Sequence, residues 1–118
     1  VRCGEETGIE YLSTTASNHK MIHVIDYLNA HLTDDITIDF LAEHFYLSRY
    51  HLMHAFKEET GYTIGNYLTT KRLLLARDQI AQGESITTAC YACGFHNYST
   101  FSRAYRKHFG CSPREQRN

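Results

Sequence analysis

The feature that most restricts the fold is an internal repeat. Thr37, Ile38, Ala42, Phe45 and Leu47 recur 48 positions later as Ser85, Ile86, Cys90, Cys93 and Phe95. Leu52, Phe56, Lys57 and Gly61 recur 49 positions later as Phe101, Tyr105, Arg106 and Gly110. A chain that repeats a pattern of this length builds one supersecondary unit twice. The extra residue of the second copy falls in its turn, near His96. Each copy starts on a hydroxyl residue suited to cap a helix, crosses a short apolar stretch and a turn, and continues as a longer helix ending at glycine. That order is a helix-turn-helix, present twice.

The remaining segments fit around these copies. From Lys20 the apolar residues Ile22, Ile25, Leu28 and Leu32 share one helical face, the side expected to be buried. Thr37 caps a short helix holding Ile38, Leu41, Ala42 and Phe45, and Ser48 caps the next. Thr63 opens a long helix over 63–81, with Ile64, Tyr67, Leu68, Leu74, Leu75 and Ile80 as its apolar positions, and Gly83 ends it. Ser85 caps a short helix reaching Cys93, and another helix spans 97–109. Ser112 and Pro113 then open a last short one. No stretch alternates as a strand, so the expected class is all-α. About seven helices form two helix-turn-helix subdomains, homeodomain-like, joined by a long linker helix. Residues 1–19 read as a tail or linker remnant and 20–118 as the domain, with copies at about 37–61 and 85–110.

Charge divides along the chain as the repeat does. Residues 1–47 carry a net −6 and residues 48–118 a net +5, although the total is only −1. Such asymmetry points to a basic face offered to a polyanion. No apolar run approaches the roughly 20 residues of a membrane span, and no signal peptide is evident, so the expected setting is the cytoplasm. The chain begins at Val1 without an initiator Met, and either a fragment of a longer protein or a standalone one is expected. Eight histidines invite an enzymatic reading. No nucleophile, base and carboxylate share a face, however, and no glycine-rich phosphate loop exists, so no catalytic residue is assigned. A helical protein-interaction bundle without DNA binding is the other alternative.

The longer helices each have a free face. At about 100° per residue, Tyr98, Phe101, Tyr105 and Phe109 fall on one arc of the last long helix. Ser99, Thr100, Arg103, Arg106 and Lys107 fall on the other. The first arc is core; the second presents hydroxyls and cations that can reach base edges and phosphates. In the first copy Leu52, Ala55 and Phe56 turn inward, leaving Tyr50, Met53, His54 and Lys57 outward and Arg49 at the helix start. The linker's nineteen residues reach about 28 Å, close to the roughly 34 Å of one DNA turn that separates paired reading helices.

Cys90 and Cys93 have a spacing that could suit zinc, which needs four ligands. His96 and His108 stand about 18 Å apart on one helix, so with Cys111 they cannot complete such a site. In the repeat, Cys90 takes the place of Ala42 and Cys93 that of Phe45, both inward positions. The cysteines are therefore expected to pack as small apolar groups, with no metal and no cofactor bound.

These motifs together resemble the DNA-binding domain of AraC/XylS-type transcription regulators, over about Lys20 to Arg117. "ITIDFLAEHFYLSRYHLMHAFKEETG" is similar to that family's first helix-turn-helix and "IGNYLTTKRLLLAR" to its linker helix. "SITTACYACGFHNYSTFSRAYRKHFGCSPREQR" is similar to its signature region. The resemblance implies regulation of transcription by sequence-specific binding to double-stranded promoter DNA, with both reading helices in successive major-groove segments on one face. It implies Arg49, Tyr50, Met53, His54 and Lys57 as contacts of the first reader. For the second it implies Asn97, Tyr98, Ser99, Thr100 and Arg103, with Arg106 or Lys107 on phosphate. RNA polymerase is the implied protein partner. The domain alone is expected to be monomeric, and the full-length protein dimeric through a domain outside this chain. Tyr46 stands where the family's first turn often has glycine.

Overall fold

The computed structural model describes residues 20–117, with seven helices and no strand among them. The expected tail, residues 1–19, lies outside the described residues. Helix α1 covers residues 20–30. It is followed by α2 (Ile38–His44), α3 (Arg49–Thr60), α4 (Ile64–Ala81), α5 (Ile86–Ala92), α6 (Tyr98–Phe109) and α7 (Pro113–Arg117). The chain forms two compact units. One takes α1 together with Ile36–Ile64; the other takes His31–Asp35 and the chain from Gly65 onward.

Local capping explains where the helices start. The side chains of Thr37, Ser48, Ser85 and Asn97 accept hydrogen bonds from the backbone N–H groups of Phe40, His51, Thr88 and Thr100. Each satisfies one of the donors that a helix start leaves without an intrahelical partner. Asn97 is thus a cap, and α6 begins one residue later than the sequence pattern suggests. At α7 the capping is reciprocal. The Ser112 hydroxyl accepts from the Glu115 N–H at 3.1 Å, while the Glu115 carboxylate accepts from the Ser112 N–H at 2.8 Å. That backbone hydrogen bond, more than the nearby Arg106 charge, holds the Glu115 carboxyl below its ordinary pKa.

The repeat is realised element by element. Helices α2 and α5 are both seven residues long, and α3 and α6 are both twelve. In the first turn the Leu47 N–H donates to the Ala42 carbonyl at 2.8 Å; in the second, Phe95 donates to Cys90 at 3.2 Å. Both turns pass through positive φ at matching positions, Tyr46 at 57° and Gly94 at 101°. Helix α2 packs on α3, and α5 on α6.

In the first unit the fully covered side chains include Leu28, Leu41, Leu52 and Phe56, with Met21 and Val24 from α1. Tyr27 ties α1 to α2 through ring contacts with Phe40, His44 and Phe45 at centroid distances of 5.2–6.1 Å. This corrects the sequence reading of α1: Ile22 is 50% exposed and Ile25 only half-buried. Two apolar ridges run along this helix, and periodicity alone does not choose between them.

The second unit centres on Leu73, Ala76, Ile80, Ala89, Cys90, Cys93, Phe101 and Tyr105, with Tyr98, Phe95 and Phe109 packed against them. Here α4 departs from expectation. Leu73 and Ala76 are buried while Leu74 and Leu75 are half-buried. Three successive leucines cover more than half of a helix's circumference at about 100° per residue, so the apolar pattern leaves the buried one undetermined. Arg77 lies over the Phe109 ring, 4.6 Å from its centroid, and covers the C-terminal end of α6.

Candidate nucleic-acid interface

The outer face of α6 is set by what its inner face buries. Phe101 and Tyr105 have no exposed surface, and their four-residue spacing stacks them on one side of the helix. Ser99, Thr100, Arg103, Arg106 and Lys107 are all exposed on the other side, with Asn97 exposed at the cap. Arg103 and Lys107 form no ion pair with any described side chain. Arg106 Nη1 is 3.5 Å from Glu115 Oε1, both well exposed, a contact too long and too wet to hold the guanidinium away from another anion. Tyr98 differs from the rest of its expected set. It is half-buried, with its ring centroid 6.1 Å from that of Phe101.

On α3 the equivalent face is more apolar. Leu52, Ala55 and Phe56 are buried as expected, and Arg49, Tyr50, Met53, His54 and Lys57 are exposed. Tyr50 and His54 lie one helical turn apart with ring centroids at 4.1 Å, so they present one joined aromatic surface. Arg49 Nε is 3.1 Å from Asp39 Oδ1, an acid of α2. A phosphate contact by Arg49 has to share it with that carboxylate. Met53, His54, Lys57, Glu58 and Thr63 line a shallow open depression beside this face.

Three residues that the sequence left unconnected are linked beside the entry to α6. Arg72 of α4 donates from Nε to the Leu32 carbonyl at 2.7 Å and from Nη2 to the Asp34 carbonyl at 2.8 Å. Burial lowers its pKa, an effect opposed by the charges of Asp35 and Asp34. Asp35 Oδ1 lies 2.6 Å from His96 Nε2, one residue before the cap of α6. These partners are 38 and 61 residues apart in the chain, so no local periodicity could announce them.

Cys90 and Cys93 are packing groups. Cys90 and Cys93 are fully buried in the second core. Among the described residues no cluster of three or more His, Cys, Asp or Glu could hold a metal. Burial raises both thiol pKa values, that of Cys93 to about 11 with a smaller push from Cys90. A thiol whose folded pKa is raised contributes stability below its unfolded pKa, and that contribution is lost as pH climbs through the folded value. The thiols' share of the stability is therefore expected to be level below about pH 8 and to fall between about pH 8.5 and 11. Cys93→Ala should flatten that limb in pH-dependent urea unfolding. Metal analysis of chelator-free protein should find no stoichiometric zinc; one equivalent released by Cys90→Ser with Cys93→Ser would refute the packing account.

With the geometry in place, comparison with known proteins is specific. Residues 41–118 match the family described as a helix-turn-helix domain. The chain is 36% identical over 109 residues to the HTH-type transcriptional activator RhaS of Escherichia coli O139:H28, covering 92% of this chain and 38% of that protein. It spans well under half the length of the curated relatives it matches. Its fold is similar to the DNA-binding domain of AdpA, a global transcriptional factor solved in complex with a target DNA. That match has a TM-score of 0.78 at 25% identity over 83% of this chain and 89% of that one. An AraC-type regulator from Chromobacterium violaceum matches with a TM-score of 0.76 at 32% identity, over 87% and 93% of the two chains. The chain belongs to the AraC-type helix-turn-helix family of DNA-binding domains.

Proposed function

We propose that this chain binds double-stranded promoter DNA sequence-specifically and regulates transcription, with α3 and α6 reading successive major-groove segments on one face. The observation that carries this is the outer face of α6, where Ser99, Thr100, Arg103, Arg106 and Lys107 are all exposed above buried Phe101 and Tyr105. In a helix-turn-helix the second helix enters the major groove, and this chain has two such helices of equal length.

In this reading Asn97, Ser99, Thr100 and Arg103 contact bases, and Arg106 and Lys107 contact phosphates. Tyr98, half-buried, contributes less. Arg49, Tyr50, Met53, His54 and Lys57 form the second, weaker contact. The domain is residues 20–118 following a tail or linker remnant, a binding module rather than an enzyme, monomeric by itself. RNA polymerase is its protein partner, the cytoplasmic nucleoid is its place, and dimerisation belongs to a domain outside this chain. No helix among the described residues is long and apolar enough to cross a membrane.

The test is titration of promoter fragments at two salt concentrations. Log affinity should fall linearly with log salt, whereas a protein-interaction bundle would show no such DNA affinity. Arg103 carries a fork that can pair bidentately with guanine O6 and N7. Arg103→Ala should cost about 1–3 kcal/mol on a cognate duplex and relax preference at one or two base pairs. Lys107→Ala should weaken all duplexes alike and lower the salt slope by about one. Equal losses for Arg103→Ala on cognate and scrambled duplexes would reduce Arg103 to a phosphate contact.

A further inference from the structure

The turn leading into α6 is one residue longer than its counterpart before α3. The first runs from Phe45 to Ser48, the second from Cys93 to Asn97. A longer turn has more conformations to lose when it is ordered, yet it determines where the first turn of α6 points. The added length sits at His96, and His96 does not stand alone. The segment His31–Asp35 belongs to the same compact unit and meets this turn at two places. Asp35 Oδ1 is 2.6 Å from His96 Nε2. Gly94 lies so close to Thr33 that a Cβ there would stand 3.1 Å from its carbonyl oxygen and 3.2 Å from its Cα.

The segment is itself held. The guanidinium of Arg72 spans two carbonyls, those of Leu32 and Asp34, at 2.7 and 2.8 Å. Two donors in a fixed plane define the segment's position and direction, which a lysine with its single ammonium would not do. His31 Nδ1, 2.9 Å from Asp34 Oδ2, closes the segment on itself. We infer that Arg72, Asp35 and His96 form a latch that positions the reader helix, Arg72 holding the 31–35 segment and Asp35 on it holding the entry turn of α6. These are positioning residues; none needs to touch DNA. The role in recognition rests on α6 being a DNA reader, while the latch itself does not.

The Asp35 and His96 side chains are 79% and 76% exposed, so Asp35 can be replaced without emptying any core. Amide hydrogen exchange on the full chain without DNA is the first measurement. The Thr100 and Phe101 N–H groups, bonded to Asn97 Oδ1 and Asn97 O, report the entry turn. In Asp35→Ala their protection should fall about three- to five-fold, the scale of one side-chain hydrogen bond. Protection at Tyr105 and Cys93 should not change. Asp35→Asn should restore most of the loss, because its carbonyl oxygen still accepts from His96 Nε2–H. Unchanged protection at Thr100 in Asp35→Ala, or an equal loss throughout α5 and α6, overturns the latch.

The second measurement uses a duplex selected from a random library by the wild-type chain. Asp35→Ala should weaken binding to it about three- to five-fold and leave a scrambled duplex unaffected, with Asp35→Asn again restoring it. Equal loss on both duplexes overturns the positioning role. A library from which nothing is enriched overturns DNA reading itself, and the exchange data still decide the latch.

Discussion

Phe101→Ala is expected to destabilise the second unit by about 3–5 kcal/mol, the range for deleting a fully buried aromatic side chain. Phe101 has no exposed surface. Its ring lies 5.1 Å from that of Phe95 and 5.6 Å from that of Tyr105. Phe95 comes from the turn and Tyr105 from the next turn of α6, so the cavity would open where turn and reader helix meet. Single domains are stable by only about 5–15 kcal/mol, and a loss of this size leaves little in reserve. Urea unfolding followed by far-ultraviolet circular dichroism measures it. Phe101→Leu, which keeps most of the volume, should cost about 1–2 kcal/mol. A cost below about 1 kcal/mol for the alanine variant would show that Phe101 is not central to this core. The proposed DNA-contacting face should fail together with the fold, since the same helix carries both.

Gly94→Ala is expected to cost about 2–3 kcal/mol, for two reasons that act together. A φ of 101° lies beyond the left-handed well that other residues occasionally occupy. The added methyl would also meet the Thr33 backbone and Arg72 Nε, each about 3.1 Å away. The first turn is a natural control. Tyr46, at the matching position, has a φ of 57°, inside that well, and its side chain is 90% exposed. A side chain is tolerated there because the space is open and the strain is small. Tyr46→Gly should accordingly shift stability by no more than about 1 kcal/mol. If Gly94→Ala leaves the unfolding midpoint unchanged, the close approach of segment 31–35 is not maintained in solution.

The two turns show how far the residues alone carry an interpretation. The repeat offsets of 48 and 49 predict two helix pairs of equal length, and α2 with α5 and α3 with α6 have that form. The offsets also place the extra residue near His96. They do not reveal that the first turn accepts tyrosine while the second requires glycine, because that depends on Thr33, 61 residues away. The outer faces of α3 and α6 are legible for a related reason. On α6 aromatic and basic residues occupy opposite arcs, so one period sorts buried from exposed, with Tyr98 and Phe109 at the two ends of the aromatic arc left half-buried. Ion-pair partners are not legible in this way. Asp39 shares Arg49, and Glu115 approaches Arg106, although both cations look equally free in the sequence.

By itself the sequence determined the class, the capped helix boundaries within a residue, the duplicated unit and the outward faces of α3 and α6. These follow from interactions within a few residues: a side-chain cap, a helical period, a turn closed over six positions. Only the tertiary structure decided which ridge of α1 is buried, which leucine of α4 enters the core, and how segment 31–35 is held. Helices α1 and α4 carry apolar residues on more than one side, so their buried faces are set by what packs against them. The Arg72 and Asp35 contacts join groups 38 to 61 residues apart, and a contact at that range leaves no periodic trace in the chain.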